Sequence, residues 1–259
     1  RQEKVLTTYT IDVWCWIAME QPNISVLPNL FNAFRVACHY GIGFSDGISW
    51  TSIPNKDVYS KVLTFVLCEA DGIFRRLLRI SDSCCKDSIL KLKSTPEWRT
   101  VRPLIKSYLR SSLFLLNQFT DSRILTFTLS KLRASIVFFS AFPSLMRRFI
   151  KAAILFWATG EDGLSLSSFF IIRDVATELS SDYLETCLTK AYRAFISHCK
   201  YVEPTKFKHL EFLSNSVVEL YSVNVQQSYE KVLIALKQLA SLLQCALRTK
   251  KKDELQRIY

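Results

Sequence analysis

The sequence predicts an all-α fold, arranged as an irregular α-solenoid of stacked antiparallel helix pairs of the HEAT or armadillo kind. Apolar residues recur at helical spacing along most of the chain, and no alternating strand pattern lies between hairpin signals. The 259 residues include only six Gly and seven Pro, which favours long helices with short connections. A globular helical bundle is the alternative architecture. We expect one helical domain over residues 1–259, as part of a longer chain, with loops at 41–55 and 81–95.

Three helices are predicted in the first third of the chain. A helix over 11–21 begins after a Thr10 cap, and a second helix covers 30–40, where apolar residues share one face. A long third helix is predicted over 56–81, although Gly72 inside it lowers its intrinsic helix stability.

Capping residues and prolines position the helices in the middle of the chain. Thr95 is predicted to cap a helix whose first turn contains Pro96, where the missing N–H of proline does no harm. Pro103 is expected to split this helix in two, because proline removes an intrahelical hydrogen bond. Asp121 is predicted to cap the next helix, and Pro143 to open the one after it.

The segment TGEDG, residues 159–163, interrupts an apolar run with two glycines and two acids. We expect Gly160 to end one helix in a left-handed conformation, with Glu161 and Asp162 at the start of the next. A catalytic carboxylate pair is disfavoured because neighbouring residues on a helix point in different directions. The segment is therefore predicted to be a joint between helices.

Four further helices are predicted in the last part of the chain, over 164–179, 183–201, 205–223 and 227–248. In the last one, an apolar stripe is expected to pack on the preceding helix: Tyr229, Val232, Leu233, Leu236, Leu239, Leu243 and Ala246. Ile234 and Leu242 widen this apolar surface beyond what one neighbouring helix needs. They are candidate docking residues, to be covered by a continuation of the chain or by a partner protein.

Positive charge is concentrated in one part of the chain, whose formal net charge is +11. Between residues 102 and 151 there are nine basic residues, and Asp121 is the only acid. Such a concentration indicates an acidic partner, either nucleic acid (RNA in the first place) or an acidic protein surface, and an ordinary solvated face is the alternative. The candidate contacts are Arg102, Lys106, Arg110, Arg147, Arg148, Lys151, Lys250, Lys251 and Lys252.

Motifs of catalysis are missing from the sequence. It contains no phosphate-binding P-loop, no GxGxxG and no GxSxG, and the spacing of His198, Cys199 and His209 fits no zinc signature. Most of the eight cysteines lie in apolar helical runs, which favours a reducing compartment over a disulfide framework. The apolar run 134–146 is too short to span a bilayer. We expect no enzyme activity, no cofactor or metal, no membrane association and no small-molecule substrate.

Several segments in the same order resemble the nucleolar complex protein 2 family. The signature is FWATGEDGLSLSSFFIIRDV, in which Trp157, Gly160 and Glu161 match the family pattern. Similar agreement extends through TPEWRTVRPLIKSYLRSSLFLLNQFTD, FFSAFPSLMRRFIKAAILFW and ALKQLASLLQCALRTKKKDELQRIY. Gly163 and Leu164 depart from the family pattern, which indicates a divergent member of plant type.

The resemblance implies a non-enzymatic assembly factor of the large (60S) ribosomal subunit. The resemblance further implies a protein that forms heterodimers with the related nucleolar complex proteins 1 or 3 and associates with pre-ribosomal particles and rRNA. It implies a location in the nucleolus and nucleoplasm. The alternative function is a helical-repeat interaction module in transcriptional or chromatin regulation, or in nuclear transport.

Overall fold

The computed structural model describes residues 7–20, 25–39, 56–81, 93–199 and 207–249, and every regular element in these ranges is a helix. The prediction of an all-α chain is thus confirmed for this part of the sequence. In chain order the helices are α1 (Thr8–Glu20), α2 (Leu27–Cys38), α3 (Lys56–Leu78), α4 (Pro96–Gln118), α5 (Ser122–Ala134), α6 (Ile136–Phe139), α7 (Pro143–Thr159), α8 (Asp162–Glu178), α9 (Ser181–Cys199), α10 (Phe207–Ser222) and α11 (Val225–Thr249).

The principal helix contacts join elements that are at most three positions apart in chain order. Helix α2 packs on α1, α3 and α4, and α4 also contacts α5 and α7. The most extensive contact is between α7 and α8, and α8 packs in addition on α5, α9 and α10. Neighbouring helices therefore share one hydrophobic core, which is continuous from α1 to α10 among the described residues.

Aromatic residues fill the core where α2, α3, α4 and α6 meet. The rings of Phe31 and Phe74 are stacked with centroids 5.0 Å apart, and Tyr108 lies 5.8 Å from Phe74 in an edge-on arrangement. The ring of Phe138 in α6 also packs edge-on against Phe74, with centroids 5.9 Å apart. Aromatic pairs of this geometry contribute about 0.5–1.5 kcal/mol each beyond the area that they bury.

Arg75 of α3 is buried and joins that helix to the break between α5 and α6. Its Nε donates to Asp71 Oδ2 at 2.6 Å, and its Nη2 donates to the carbonyl oxygen of Ala134 at 3.1 Å. The hydroxyl of Ser135 donates to the other carboxylate oxygen of Asp71 at 3.2 Å. Because the guanidinium is paired and hydrogen-bonded, its charge is compensated inside the core.

Two of the predicted helix caps are confirmed at atomic detail. The Thr95 hydroxyl accepts a hydrogen bond from the backbone N–H of Trp98 at 3.3 Å. The carboxylate of Asp121 accepts from the backbone N–H of Arg123 at 2.8 Å. Each bond satisfies one of the free N–H groups in a first helical turn. Pro143 is the first residue of α7, as the sequence predicts.

The start of α1 differs from the prediction. The helix begins at Thr8, and the hydroxyl that accepts a backbone N–H belongs to Thr7, whose Oγ1 lies 3.2 Å from the nitrogen of Thr10. Thr10 is the donor in this bond and so lies inside the first turn.

The expected break at Pro103 is also wrong, since α4 continues through it. Pro103 lies on the exposed side of α4, whereas Trp98, Val101 and Ile105 on the opposite side of this helix are buried in the core. Core packing before and after the proline therefore holds both halves of α4 in one helix, despite the lost hydrogen bond.

Of the two predicted loops, 41–55 and residues 82–92 of the second lie outside the described residues, while residues 93–95 form a turn before α4. Gly72 lies within α3, which continues through it. None of the described helices is long and apolar enough to cross a membrane.

Candidate functional site

The 159–163 segment is a tight joint between α7 and α8, but Gly160 does not adopt the expected left-handed conformation. Its φ is −76° and its ψ is 157°, which is extended backbone. The need for glycine is steric. A Cβ atom at this position would lie 2.4 Å from the carbonyl oxygen of Phe156 and 3.0 Å from the Cγ of Leu164. Gly160 allows α8 to begin directly after α7 ends.

The other signature residues at this joint have structural surroundings. Trp157 is fully buried, and its carbonyl oxygen accepts a hydrogen bond from the hydroxyl of Ser165 in α8. The Nε1 of Trp157 has no hydrogen-bond partner among the described residues. Glu161 is exposed at the N-cap of α8, and its side chain makes no capping hydrogen bond. The side chain of Asp162 lies outside the described part of the chain.

The basic row of α4 consists of Arg102, Lys106 and Arg110, which repeat at one-turn spacing and are all exposed. None of the three forms an ion pair with another described residue. The guanidinium of Arg102 lies 5.7 Å from the centroid of the Phe142 ring, and Phe142 is the N-cap of α7. The row therefore begins beside the start of α7.

The basic cluster of α7 consists of Arg147, Arg148 and Lys151, which are also exposed and unpaired within the described ranges. Burial raises the pKa of Tyr183 at the start of α9, and the positive charge of Arg147 partly opposes this increase. Arg147 thus lies within electrostatic reach of α9. Since α4 packs on α7, the row and the cluster belong to neighbouring helices.

No acidic side chain in the described part of the chain forms an ion pair with these six cations. Asp121 is held at the start of α5, where it caps the helix and lies 3.7 Å from Arg123. Arg133, another basic residue of this stretch, is paired with Asp174 of α8 and so differs from the six exposed residues. The candidate contacts Lys250, Lys251 and Lys252 lie outside the described residues.

A further group of polar residues was missed by sequence reasoning. His39, the C-cap of α2, stacks on Phe114 of α4 with ring centroids 3.8 Å apart. The pKa of His39 is lowered by partial burial, and the positive charges of Arg35 and Arg110 lower it further. No local motif marks this group, because its members come from two helices that are distant in sequence.

An apolar groove of about 1010 Å³ lies between α9, α10 and α11. It is lined by Thr189, Tyr192, Arg193, Val217, Val218, Tyr221, Ser222, Val225, Ser228, Tyr229, Val232, Ile234, Leu236 and Gln238. The expected packing of the α11 stripe on α10 is wrong for its described members, since Tyr229 and Leu236 are 62% and 56% exposed. At the start of α11, the buried Ser228 hydroxyl donates to the carbonyl oxygen of Tyr221 at 2.7 Å and joins this helix to α10.

Of the two candidate docking residues, Ile234 is 55% exposed and lines this groove. Leu242 belongs to α11, but its side chain lies outside the described part of the structure. The groove therefore presents apolar side chains that no described element of the chain covers.

The histidines near the end of the chain make hydrogen bonds within the helical scaffold. Nδ1 of His198 lies 2.9 Å from the carbonyl oxygen of Ala194, and Nε2 of His209 lies 2.9 Å from that of Ala158. Within the described ranges, no three His, Cys, Asp or Glu side chains are grouped so that they could hold a metal ion.

Comparison with known proteins places these features in a family context. The model of the Noc2p family matches residues 182–259. Nucleolar complex-associated protein 2 of Arabidopsis thaliana is 37% identical over 260 residues, which cover 99% of this chain and 34% of that protein. Protein REBELOTE of the same plant is 38% identical over 259 residues, covering 99% of this chain and 43% of that protein.

Similarity extends to animals. Nucleolar complex protein 2 of Drosophila melanogaster is 27% identical over 173 residues, which cover 67% of this chain and 23% of that protein. The chain thus spans less than half the length of these relatives. Nevertheless, two relatives agree with it over nearly all its residues, and the family model matches its last part. The chain therefore belongs to the nucleolar complex protein 2 (Noc2p) family.

Proposed function

We propose that this chain is part of a non-enzymatic assembly factor that acts in the nucleolus and nucleoplasm during biogenesis of the large (60S) ribosomal subunit. The names of the relatives, which describe components of a nucleolar complex, support the nucleolar location. In this proposal the chain is a scaffold that holds precursor rRNA on one surface and a partner protein on another.

The observation that carries the RNA-binding part is the set of six exposed cations on two neighbouring helices. The basic row of α4 and the basic cluster of α7 have no acidic partner among the described residues. Cations held in this way attract phosphate groups and release the counterions that surround RNA. Lys250, Lys251 and Lys252 are proposed as additional RNA contacts.

The partner-binding part of the proposal rests on the groove between α9, α10 and α11. Its tyrosines and Arg193 are residue types that are enriched at protein interfaces. We propose that it binds a related nucleolar complex protein, of type 1 or 3, with Ile234 and Leu242 as docking residues. An uncovered apolar surface of this kind is typical of interaction sites.

A stacked, HEAT-like array is the architecture that we propose for this scaffold. The support is that the principal helix contacts join only elements close together in chain order. In such an array each helix pair contacts its neighbours, which leaves long edges open for partners.

The RNA part is tested by reversing the charges of the basic row in the full-length protein, with R102E, K106E and R110E combined. We expect affinity for a large-subunit precursor rRNA fragment to fall at least tenfold at low salt. A plot of log affinity against log salt concentration should become less steep, by about two to three units of slope, because each lost phosphate contact releases about one counterion fewer on binding.

The matched control changes three exposed basic residues of other helices, K190E, K208E and K237E, and so alters the net charge equally. This control should retain most of the affinity. Equal losses in both triple variants would show that net charge alone is responsible, and unchanged binding in the first triple would contradict the RNA-binding proposal.

The partner part is tested with Ile234→Ser and Leu242→Ser in the full-length protein. We expect heterodimer formation to be lost while the Tm stays close to that of the parent. If instead the heterodimer forms and the Tm falls, the groove is filled by the protein's own chain. Identification of both RNA and proteins in a pull-down from nuclear extract separates ribosome assembly from a role in chromatin regulation or nuclear transport.

A further inference from the structure

A strict seven-residue repeat of apolar residues runs along α11. Its members are separated alternately by four and by three positions, and they are Val225, Tyr229, Val232, Leu236, Leu239, Leu243 and Ala246. In the heptad notation abcdefg they occupy every d and a position over three heptads. The apolar face of a straight helix drifts by about 20° per heptad from such a repeat. A repeat that keeps to seven residues is therefore typical of a helix that winds around another helix.

The a and d positions at the start of α11 are open, and α10 lies to one side of them. Tyr229, Val232 and Leu236 occupy three consecutive a and d positions and are 62%, 45% and 56% exposed. Ser228, at the preceding g position, is buried, and its hydroxyl donates to the carbonyl oxygen of Tyr221 in α10. Helix α10 therefore covers the g side of α11 at this point and leaves the a and d positions for another element.

The groove beside these positions is long enough for a helix. Its lining on α11 runs from Val225 to Gln238, which corresponds to about 20 Å of helix axis. Val218 of α10 and Tyr192 of α9 line the same groove and are also exposed. An amphipathic helix of about 14 residues matches this length, and grooves between helices bind such helices through apolar side chains spaced by three and four residues.

The charges around the groove favour an acidic occupant. Arg193 of α9 lines the groove, is exposed and forms no ion pair with another described residue. Among the described residues that line the groove, none is acidic. The sequence of α11 contains three basic residues and one acid, which are Lys231, Lys237, Arg248 and Glu230. A second copy of α11 would bring like charges together, whereas a helix with acidic residues beside its apolar stripe complements these cations.

We propose that the groove and the heptad repeat of α11 bind one amphipathic helix of the partner protein, with acidic residues of that helix directed to Arg193. This inference rests on the proposed partner-binding function and specifies the element that the partner supplies. The two helices form a left-handed coiled coil, in which apolar residues of the partner pack between Tyr229, Val232 and Leu236. Because the repeat continues through Leu239 and Leu243, the pairing extends beyond the groove.

The first test replaces two members of the repeat, Val232→Ser and Leu236→Ser together, in the full-length protein. Its affinity is measured for the related nucleolar complex proteins of types 1 and 3, each in turn, and should fall at least about tenfold at an unchanged Tm. The matched control is Ile124→Ser with Leu155→Ser, whose side chains are 40% and 55% exposed on α5 and α7. The control should keep the affinity of the parent, and equal losses in both variants would overturn the proposal.

A second test distinguishes a coiled coil from an occupant that is confined to the groove. Leu239→Ser with Leu243→Ser changes only the continuation of the repeat and should also lower the affinity at least about tenfold. Ser241→Ala with Gln244→Ala is the control, since both residues are exposed and lie at f and b positions of the same helix. If Leu239→Ser with Leu243→Ser binds like the parent, the coiled coil is wrong.

The charge of the partner helix is tested with Arg193→Glu. We expect about a tenfold loss of affinity, because the reversed charge faces acidic residues of the partner. Lys190→Glu is the control, since Lys190 is exposed on the same helix but does not line the groove. If Arg193→Glu binds no more weakly than Lys190→Glu, the acidic helix is wrong. Arg193 is exposed, so this variant also keeps the proposal testable if the serine variants do not fold.

Other occupants of the groove give different results. If the full-length protein sediments as a dimer without a partner, and Val232→Ser with Leu236→Ser makes it a monomer, a second copy covers the repeat. If that double variant lowers the Tm and keeps the heterodimer, the protein's own chain covers it. Either result would overturn the inference.

The outcomes also separate this inference from the proposed function. If Ile234→Ser with Leu242→Ser abolishes the heterodimer but Val232→Ser with Leu236→Ser retains it, the proposed function stands and the coiled coil is wrong. If the parent protein forms no heterodimer, the proposed function fails and this inference fails with it.

Discussion

Replacement of Gly160 by alanine tests whether the joint between α7 and α8 depends on a close backbone approach. The added Cβ would lie 2.4 Å from the Phe156 carbonyl oxygen, which is a distance that real Cβ atoms do not adopt. The same oxygen accepts the hydrogen bond from the Gly160 N–H at 2.8 Å. Relief of the overlap must therefore move the end of α7 or the first turn of α8.

The expected loss of stability follows from these two contacts. Overpacking at a well-packed site costs about 1–3 kcal/mol. Weakening of the terminal hydrogen bond adds about 0.5–1.5 kcal/mol. The free energy of unfolding should therefore fall by about 2–4 kcal/mol, and the Tm by roughly 5–15 °C for a chain of this size.

Two other glycines provide matched controls. A Cβ added at Gly72 in α3 or at Gly163 in the first turn of α8 meets nothing within 4 Å. Alanine at either position should raise the free energy of unfolding by up to about 1 kcal/mol, since it favours the helix. Urea denaturation followed by circular dichroism at helical wavelengths measures all three variants. If Gly160→Ala unfolds like the parent, or like the two controls, the steric explanation of this joint is wrong.

Three further predictions concern Trp157, Pro103 and the thiols of Cys15 and Cys187. Trp157→Ala should lower the free energy of unfolding by about 3–5 kcal/mol, since the side chain is fully buried; loss of partner binding at an unchanged Tm would contradict its assignment to the core. Pro103→Ala restores a helix N–H at an exposed position. We expect calorimetry to show an increase in Tm equivalent to about 1–3 kcal/mol. A decrease in Tm would show that α4 needs the proline. Burial raises the pKa of Cys15 to about 11 and that of Cys187 to about 12. Peptide mapping after iodoacetamide treatment at about pH 8 should therefore find both cysteines labelled only in denaturant. Rapid labelling of either cysteine in the native protein would contradict these raised pKa values. Because these pKa values are higher in the folded state, the stability that the neutral thiols contribute is present below the ordinary value of 9.0 and is lost as the pH rises towards 12.

The features that the sequence predicted well depend on local chemistry. Thr95 and Asp121 each cap a helix through a local hydrogen bond. The hydroxyl of Thr95 accepts from a backbone N–H three residues further along the chain, and the carboxylate of Asp121 accepts from one two residues further along. Pro143 likewise opens α7 through its own backbone geometry. The positive charge of the α4 and α7 surfaces was also predictable, because spacing by four residues brings Arg102 and Lys106 to one helix face.

Most of the features that the sequence did not predict depend on contacts between distant residues. Pro103 has a strong intrinsic tendency to break a helix, but the core packing of α4 overrides it. Gly160 is the exception, because its contact with the carbonyl oxygen of Phe156 is local; the sequence pattern does not distinguish a glycine needed for a positive φ from one needed for such a close approach. The direction in which α11 leaves α10 determines whether Tyr229 is covered, and apolar periodicity contains no information on that direction.

The buried Arg75 also sets a condition on the order in which the chain can fold during synthesis. Its Nη2 needs the carbonyl of Ala134, which is 59 residues further along the chain. At translation rates of about 5–20 residues per second, α3 leaves the ribosome roughly 3–12 s before that acceptor is available. During this interval the guanidinium must keep water around it, since a cation without its full set of partners is costly to bury. The full set of hydrogen bonds to Arg75 therefore forms only after the end of α5 has been made.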